Sequence, residues 1–191
     1  LIVSFALSQA WLAYKYSRQK RAPDSGTPTP QWDGEWPTVL IQLPIYNERN
    51  VVERLLKTVA AFDYPANLLT IQILDDSDDD TPEIIKHAIS EIFASHRPRV
   101  EHLQRTSREG YKAGALAYGL SKSNAEFVAI FDADFMPRPT FIKQILCYLS
   151  DLKVGMVQNS WEHLNEIHSA LSIALVFAID HNISVEQGGR Q

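Results

Sequence analysis

The chain has one cysteine, Cys147, and therefore no intrachain disulfide. Cys147 lies in an apolar stretch and reads as a small core residue. Neither G-x-G-x-x-G nor G-x-x-x-x-G-K-S/T occurs, which argues against a dehydrogenase and a P-loop NTPase. The histidines (His87, His96, His102, His163, His168 and His181) are scattered, with no pair at metal-ligand spacing at a strand end. His163 and His168 read as loop or helix-surface residues. There is no internal repeat. Basic charge is scarce outside the first residues. Lys15, Arg18, Lys20 and Arg21 stand in residues 1–21 without an acid, and the remainder holds fourteen basic against twenty-three acidic residues, a balance of −9. So acidic a body argues against a nucleic-acid partner. It suits phosphate binding bridged by a cation. What remains is a globular composition, 45% hydrophobic and 21% charged over 191 residues, enough for one sizeable core.

Residues 1–14 (LIVSFALSQAWLAY) are apolar and uncharged. They are shorter than the roughly 20 residues that a membrane-spanning helix needs. The chain starts without Met, so it is expected to be a fragment, with this stretch the C-terminal part of a longer helix. Trp11, Tyr14, Tyr16 and the four cations that follow match the cytoplasmic end of a transmembrane helix. An amphipathic helix packed on the domain is one rival. A signal peptide ranks last, because its positive charges precede the apolar run. Residues 22–36, rich in Pro, Gly and Asp, read as a linker.

From residue 37 strand and helix signals alternate. Strands are expected at 38–43, 69–74, 100–104, 127–131 and 154–158. Helices are expected at 50–62, 81–95, 112–122, 141–149 and 167–179, with Thr81 as N-cap and Pro82 opening the second. Such alternation predicts an α/β fold with a mostly parallel sheet flanked by helices. The helix at 167–179 is apolar almost all round, which fits either a core helix or one lying on a bilayer.

The most telling stretch is Phe127-Val-Ala-Ile-Phe-Asp132-Ala-Asp134. It predicts a buried central strand that ends abruptly in two acids. Ligands bind at the carboxyl edge of open α/β sheets. In an extended stretch the side chains of Asp132 and Asp134 point the same way, and paired hard oxygens suit a divalent cation. The other strand ends are polar too. The first gives Pro44-Ile-Tyr-Asn-Glu48, where Pro44 is expected to end the strand and Asn47 or Asn50 to cap the next helix. The second gives a run of acids, 75–80, interrupted by Ser77. Asp78 to Asp80 read in part as a solvated turn. Asp75 and Asp76 abut the strand, where either could accept a hydrogen bond from a base or a ribose. In Arg108-Glu-Gly-Tyr-Lys-Ala-Gly-Ala115, Gly110 and Gly114 permit a tight turn and close packing, and Lys112 could neutralise phosphate.

Four of these pieces, in this order, resemble the family 2 glycosyltransferases: Pro44-Ile-Tyr-Asn-Glu48, Leu74-Asp-Asp-Ser77, Lys112-Ala-Gly-Ala-Leu116 and Phe131-Asp-Ala-Asp134. Val157-Gln158, Trp161-Glu-His-Leu-Asn165 and Val185-Glu-Gln187 look like the membrane-integral branch that includes cellulose and mannan synthases. The resemblance covers residues 37–187. It implies a GT-A (Rossmann-like) domain at 37–191, truncated on its C-terminal side. It implies an inverting hexosyltransferase that uses Mg²⁺ or Mn²⁺ and a UDP- or GDP-sugar. The acceptor would be a glycan or lipid at the cytoplasmic membrane face, whether of a bacterial inner membrane or of a Golgi or plasma membrane. Pro44, Tyr46 and Glu48 would line the nucleotide pocket, and Asp75 or Asp76 would contact base or ribose. Lys112 would lie near the diphosphate. Asp132 and Asp134 would form the catalytic D-x-D, with Asp134 the direct metal ligand and Asp132 beside it.

The family's Thr-Glu-Asp-like base motif and its Gln-x-x-Arg-Trp motif are both absent before Gln191. Gln158-Asn-Ser-Trp161 lacks the Arg and comes too early, and nothing places Glu186 near an acceptor. The sequence thus reads as a donor half. Two rival readings are a soluble nucleotidyltransferase, which usually carries a Gly-rich N-terminal loop, and a non-catalytic nucleotide-sugar-binding module.

Overall fold

The computed structural model describes residue 32 and residues 34–94, 98–151 and 153–158. The chain divides into two compact units, and all elements below belong to the one of Pro28–Gly155. The expected segment at 1–21, most of the linker, the helix at 167–179 and Glu186 lie outside the described residues. Among the described residues no helix is long and apolar enough to cross a membrane.

The elements run β1 (Val39–Ile45), α1 (Val52–Ala60), β2 (Leu69–Asp75), α2 (Thr81–Ile92), β3 (Arg99–Gln104), α3 (Tyr111–Leu120), β4 (Phe127–Ile130) and α4 (Phe141–Leu149). A single turn of 3₁₀ helix, Ala66–Leu68, leads into β2. The strands form one four-stranded sheet of order β3-β2-β1-β4. Every neighbouring pair is parallel. The expected α/β architecture is therefore present.

β1 and β2 are buried on both faces because both faces are covered. On one face Val39, Ile41, Leu43, Ile71 and Ile73 meet Val52, Leu55, Leu56 and Val59 of α1, Ile85 and Ala88 of α2, and Ile142 and Leu146 of α4. Each fully buried aliphatic side chain there contributes about 1.5–3 kcal/mol relative to exposure. On the other face α3 packs over β1 and β2. Gln42 and Gln72 are buried on this face and satisfied. Gln42 Nε2 donates to Gln72 Oε1 at 3.2 Å and to the Leu116 carbonyl at 3.1 Å. Gln72 Nε2 donates to Glu101 Oε2 at 3.0 Å. Buried amides need such partners.

Four expectations are corrected. Among the described residues the strand before the two acids lies at the edge of the sheet and not at its centre. β4 pairs with β1 alone among the described residues, over four positions. Phe127 and Ala129 pack against the core, but Val128 and Ile130 are 42% and 49% exposed. These two share the register of Leu40 and Gln42, on the α3 face, and α3 covers β1 and β2. An apolar run alone does not distinguish that position from a central one.

Pro44 does not end its strand, since it pairs with Leu74 within β1. The carbonyls of Thr38 and Gln42 accept from Phe127 and Phe131, so even-numbered residues of β1 face β4. The β4 ladder stops at the Gln42–Ile130 pair. The N–H that proline lacks would point where no ladder bond is due.

Thr81 is not the N-cap. It is the first residue of α2, after Asp80. The Asp79 carboxylate accepts the Thr81 N–H at 2.9 Å, which starts the helix one residue early and leaves the Thr81 side chain buried.

Residues 154–158 form no strand. Val154 N–H instead closes a turn onto the Asp151 carbonyl at 2.8 Å. A strand needs a ladder partner for its backbone groups, and none of the described strands pairs there.

Candidate active site

The loops that leave the carboxyl ends of the strands enclose a cavity of about 430 Å³. Pro44, Tyr46, Glu48, Asp76, Lys112, Asp132 and Asp134 all line it, and Arg108 joins them. Asp75 does not.

The loop after β1 is fixed by its neighbour after β2. Asn47 takes a left-handed backbone, φ 56°, which asparagine tolerates better than most residues. Its side chain donates to Asp78 Oδ1 at 2.7 Å and accepts the Asp78 N–H at 3.1 Å. Its own N–H donates to Ser77 Oγ at 2.9 Å. Neither Asn47 nor Asn50 therefore caps α1. The position before that helix is Val51, with no side-chain cap. The Glu48 carbonyl accepts the N–H groups of Val51 and Val52 instead, at 3.1 and 3.0 Å.

The two acids that end β2 have different jobs. The Asp75 side chain is fully buried and lies 2.7 Å from His102 Nε2. It also accepts from Gln104 Nε2 at 3.3 Å and from the Ser77 N–H at 3.0 Å. Burial pushes its carboxyl up, but the hydrogen bonds from His102 and Ser77 outweigh this and hold it below its ordinary value. Asp75 thus anchors the loop from beneath and is not a wall of the cavity. Asp76 is a wall, gripped from behind by Arg105. Arg105 Nε donates at 2.9 Å and Nη2 at 2.5 Å to its two carboxylate oxygens. Hydrogen bonding to Asp76 raises the Arg105 pKa. Arg105 also donates to the carbonyls of Glu109 (2.9 Å) and Tyr111 (3.1 Å), so it ties β2 to the start of α3.

The turn into α3 needs its glycines. Gly110 has φ 69°. A β-carbon on Gly114 would fall 2.0 Å from the Glu109 carbonyl oxygen. That close approach brings Lys112 to the cavity. Its ammonium is in direct contact with Asp132 Oδ1, and both side chains are half-exposed.

Asp132 and Asp134 sit in a turn and not in an extended strand. β4 has ended at Ile130, and Phe135 N–H donates to the Asp132 carbonyl at 3.0 Å. The expected convergence by strand alternation therefore does not apply, although both residues line the same cavity. The turn stands on an aromatic base. Phe131 is buried and its ring lies 5.4–6.2 Å from those of Phe62, Phe135 and Phe141. Asp134 is exposed and engages no other described side chain. The two carboxylates are the oxygen donors that could hold a cation here. Among the described residues no three His, Cys, Asp or Glu side chains gather into a closed cage. An open pair of hard oxygens suits a cation that takes its other ligands from a diphosphate and water.

Arg105 and Arg108 were not expected at the site. The signal was available, since both stand just before Lys112 in the turn that leads from the end of β3 into α3. The amino-acid pattern does not say which cations already have partners.

Comparison with known proteins then decides the family. The model of glycosyl transferase family 2 matches residues 41–167. The chain belongs to this family. Its relatives place it in the mannan-synthase-like branch, and its fold is GT-A. It is 33% identical over 174 residues to the probable glucomannan 4-beta-mannosyltransferase 7 of Oryza sativa subsp. japonica, covering 89% of this chain and 30% of that protein. It is 36% identical over 157 residues to glucomannan 4-beta-mannosyltransferase 1 of Cyamopsis tetragonoloba, covering 80% and 30%. The chain thus spans about 30% of the length of these plant relatives. Among solved structures, the mannosyltransferase PcManGT from Pyrobaculum calidifontis, in complex with GDP-Man and Mn²⁺, superimposes with a TM-score of 0.68 at 24% identity. That match covers 83% of this chain and 46% of the other, and it shows a shared fold.

Proposed function

We propose that this family 2 chain provides the donor site of a metal-assisted, inverting mannosyltransferase that takes GDP-mannose and extends a glycan at the cytoplasmic face of a membrane. One observation carries the reading. Seven residues drawn from the end of β1, from α3 and from the loops after β1, β2 and β4, all expected from sequence, line one cavity at the carboxyl edge of a parallel sheet. Mannose and a glycan acceptor are favoured by the plant relatives, which are named as glucomannan mannosyltransferases. The membrane is favoured by the apolar, then basic, residues 1–21.

In this reading Asp76, already held by Arg105, has oxygen lone pairs left to accept from a base N–H or a ribose hydroxyl. Tyr46, Pro44 and Glu48 shape the nucleotide side of the cavity. Asp132 and Asp134 hold Mn²⁺ or Mg²⁺. Lys112 keeps Asp132 oriented and adds a positive charge next to the two acids. A divalent cation at that position supplies Lewis-acid stabilisation of the charge that gathers on the departing diphosphate. Direct displacement also needs a base for the acceptor hydroxyl, and no described residue is assigned that role.

Thermal unfolding in the presence of GDP-mannose, UDP-glucose or ADP-glucose, each with Mn²⁺ or with EDTA, tests the proposal. A ligand at a hundred times its Kd stabilises the folded chain by about 2.7 kcal/mol. GDP-mannose with Mn²⁺ is expected to give the largest rise in Tm. A larger rise with a UDP-sugar, or a rise that survives EDTA, contradicts it.

A further inference from the structure

Charge pairing divides the cations of the cavity. Lys112 is committed to Asp132, and Arg105, behind the wall, is committed to both oxygens of Asp76. Arg108 lines the cavity but forms no ion pair with any described carboxylate. Its guanidinium lies on the face of the Tyr46 ring, 3.3 Å from the centroid, with the Tyr111 ring 5.6 Å away. Its Nε is buried and has no hydrogen-bond partner among the described residues. Leaving a buried charged donor unpaired is costly. A carboxylate in reach would have removed that cost, yet Glu48 and Asp134, which line the same cavity, do not pair with it. The arrangement therefore keeps a planar fork of donors, braced on an aromatic face, for an acceptor that arrives with the ligand. Arginine matches phosphate oxygens in a bidentate way that lysine does not.

We propose that Arg108, braced on Tyr46, binds the diphosphate of the donor nucleotide. This rests on the donor-site reading above and adds to it a diphosphate ligand other than the acids and Lys112. Tyr46 acts as a positioning residue. Its ring lowers the freedom of the guanidinium and fixes the plane of its donors. The Arg108 carbonyl accepts the Tyr111 N–H at 2.8 Å, so the turn that starts α3 sets where the side chain departs.

The test titrates the whole chain and its Arg108→Ala and Arg108→Lys variants by calorimetry, in Mg²⁺ buffer, with GDP, guanosine and inorganic pyrophosphate. Circular dichroism checks that each variant is folded. GDP and pyrophosphate are expected to bind about ten- to a hundred-fold more weakly to Arg108→Ala. Arg108→Lys is expected to recover part of the loss, and guanosine to bind all three alike. Tyr46→Ala should weaken pyrophosphate in the same direction, and Tyr46→Phe should not. Undiminished GDP and pyrophosphate binding by Arg108→Ala overturns the proposal while the donor site stands. If that variant does not fold, Arg108→Lys with undiminished binding of both overturns it equally. A loss of guanosine binding in step with GDP also overturns it, because Arg108 would then serve the base. Arg108-dependent pyrophosphate binding without any nucleotide binding upholds the anion site and removes the nucleotide reading. No binding of any probe overturns both.

Discussion

Asp75 and Asp76 are adjacent in sequence and turn to opposite sides of the end of β2. One is sunk against His102, and the other is held by Arg105 at the cavity wall. The first sets the height of the loop, and the second presents an acceptor to a ligand.

Loss of His102 should show this. His102→Ala leaves a buried carboxylate with Gln104 and the Ser77 N–H as its remaining partners. A destabilisation of about 2–3 kcal/mol is expected in urea unfolding. The pH dependence gives the sign. The folded Asp75 carboxyl titrates below its ordinary value. It therefore stabilises the fold above the unfolded pKa of about 3.9, and that stability is lost as pH falls through the folded pKa. In His102→Ala the folded value moves up. Acid unfolding of the variant should begin at a higher pH than in the wild type.

Arg105→Ala tests the other acid. Arg105 pairs with both oxygens of Asp76, whose side chain is 6% exposed. Removing the partner of a charge at a cavity wall that solvent can reach costs about 1–3 kcal/mol. Arg105→Lys should recover part of this but not the second hydrogen bond or the tie to both carbonyls. Denaturant midpoints at neutral pH separate the three proteins.

Gly114→Ala places a methyl group 2.0 Å from the Glu109 carbonyl oxygen. Backbone has to move, so a loss of about 1–3 kcal/mol or more is expected. The turn that carries Arg105 and Arg108 would move with it. Nucleotide binding should therefore fall further than Tm alone accounts for. A drop in Tm with unchanged affinity would show that the turn and the cavity are independent.

Much of this was legible in the sequence. The alternation of strand and helix signals is local, so four of the five expected strands, and all four expected helices that fall on described residues, appear close to their expected bounds. That most of the expected site residues would meet at one cavity was legible because parallel topology forces strand ends to one edge. Burial depth was not legible. Phe127–Ile130 is as apolar as a central strand, yet it lies at the edge of the described sheet. Partner choice was not legible either. Two adjacent aspartates look equivalent until β3 brings His102 against one of them and the loop after it brings Arg105 against the other. The role of Pro44 depended on which side of β1 its absent N–H faces, and that follows from the register of β4.

The most direct test is calorimetric titration of GDP and UDP into the chain, with and without Mn²⁺, and into Asp134→Ala. Asp134 makes no other described contact, so the variant should keep the wild-type Tm. GDP should bind with metal, more tightly than UDP, and its metal-dependent affinity should disappear in Asp134→Ala. Equal binding of GDP by both proteins, or binding indifferent to Mn²⁺, would contradict a metal-assisted donor site at this edge of the sheet.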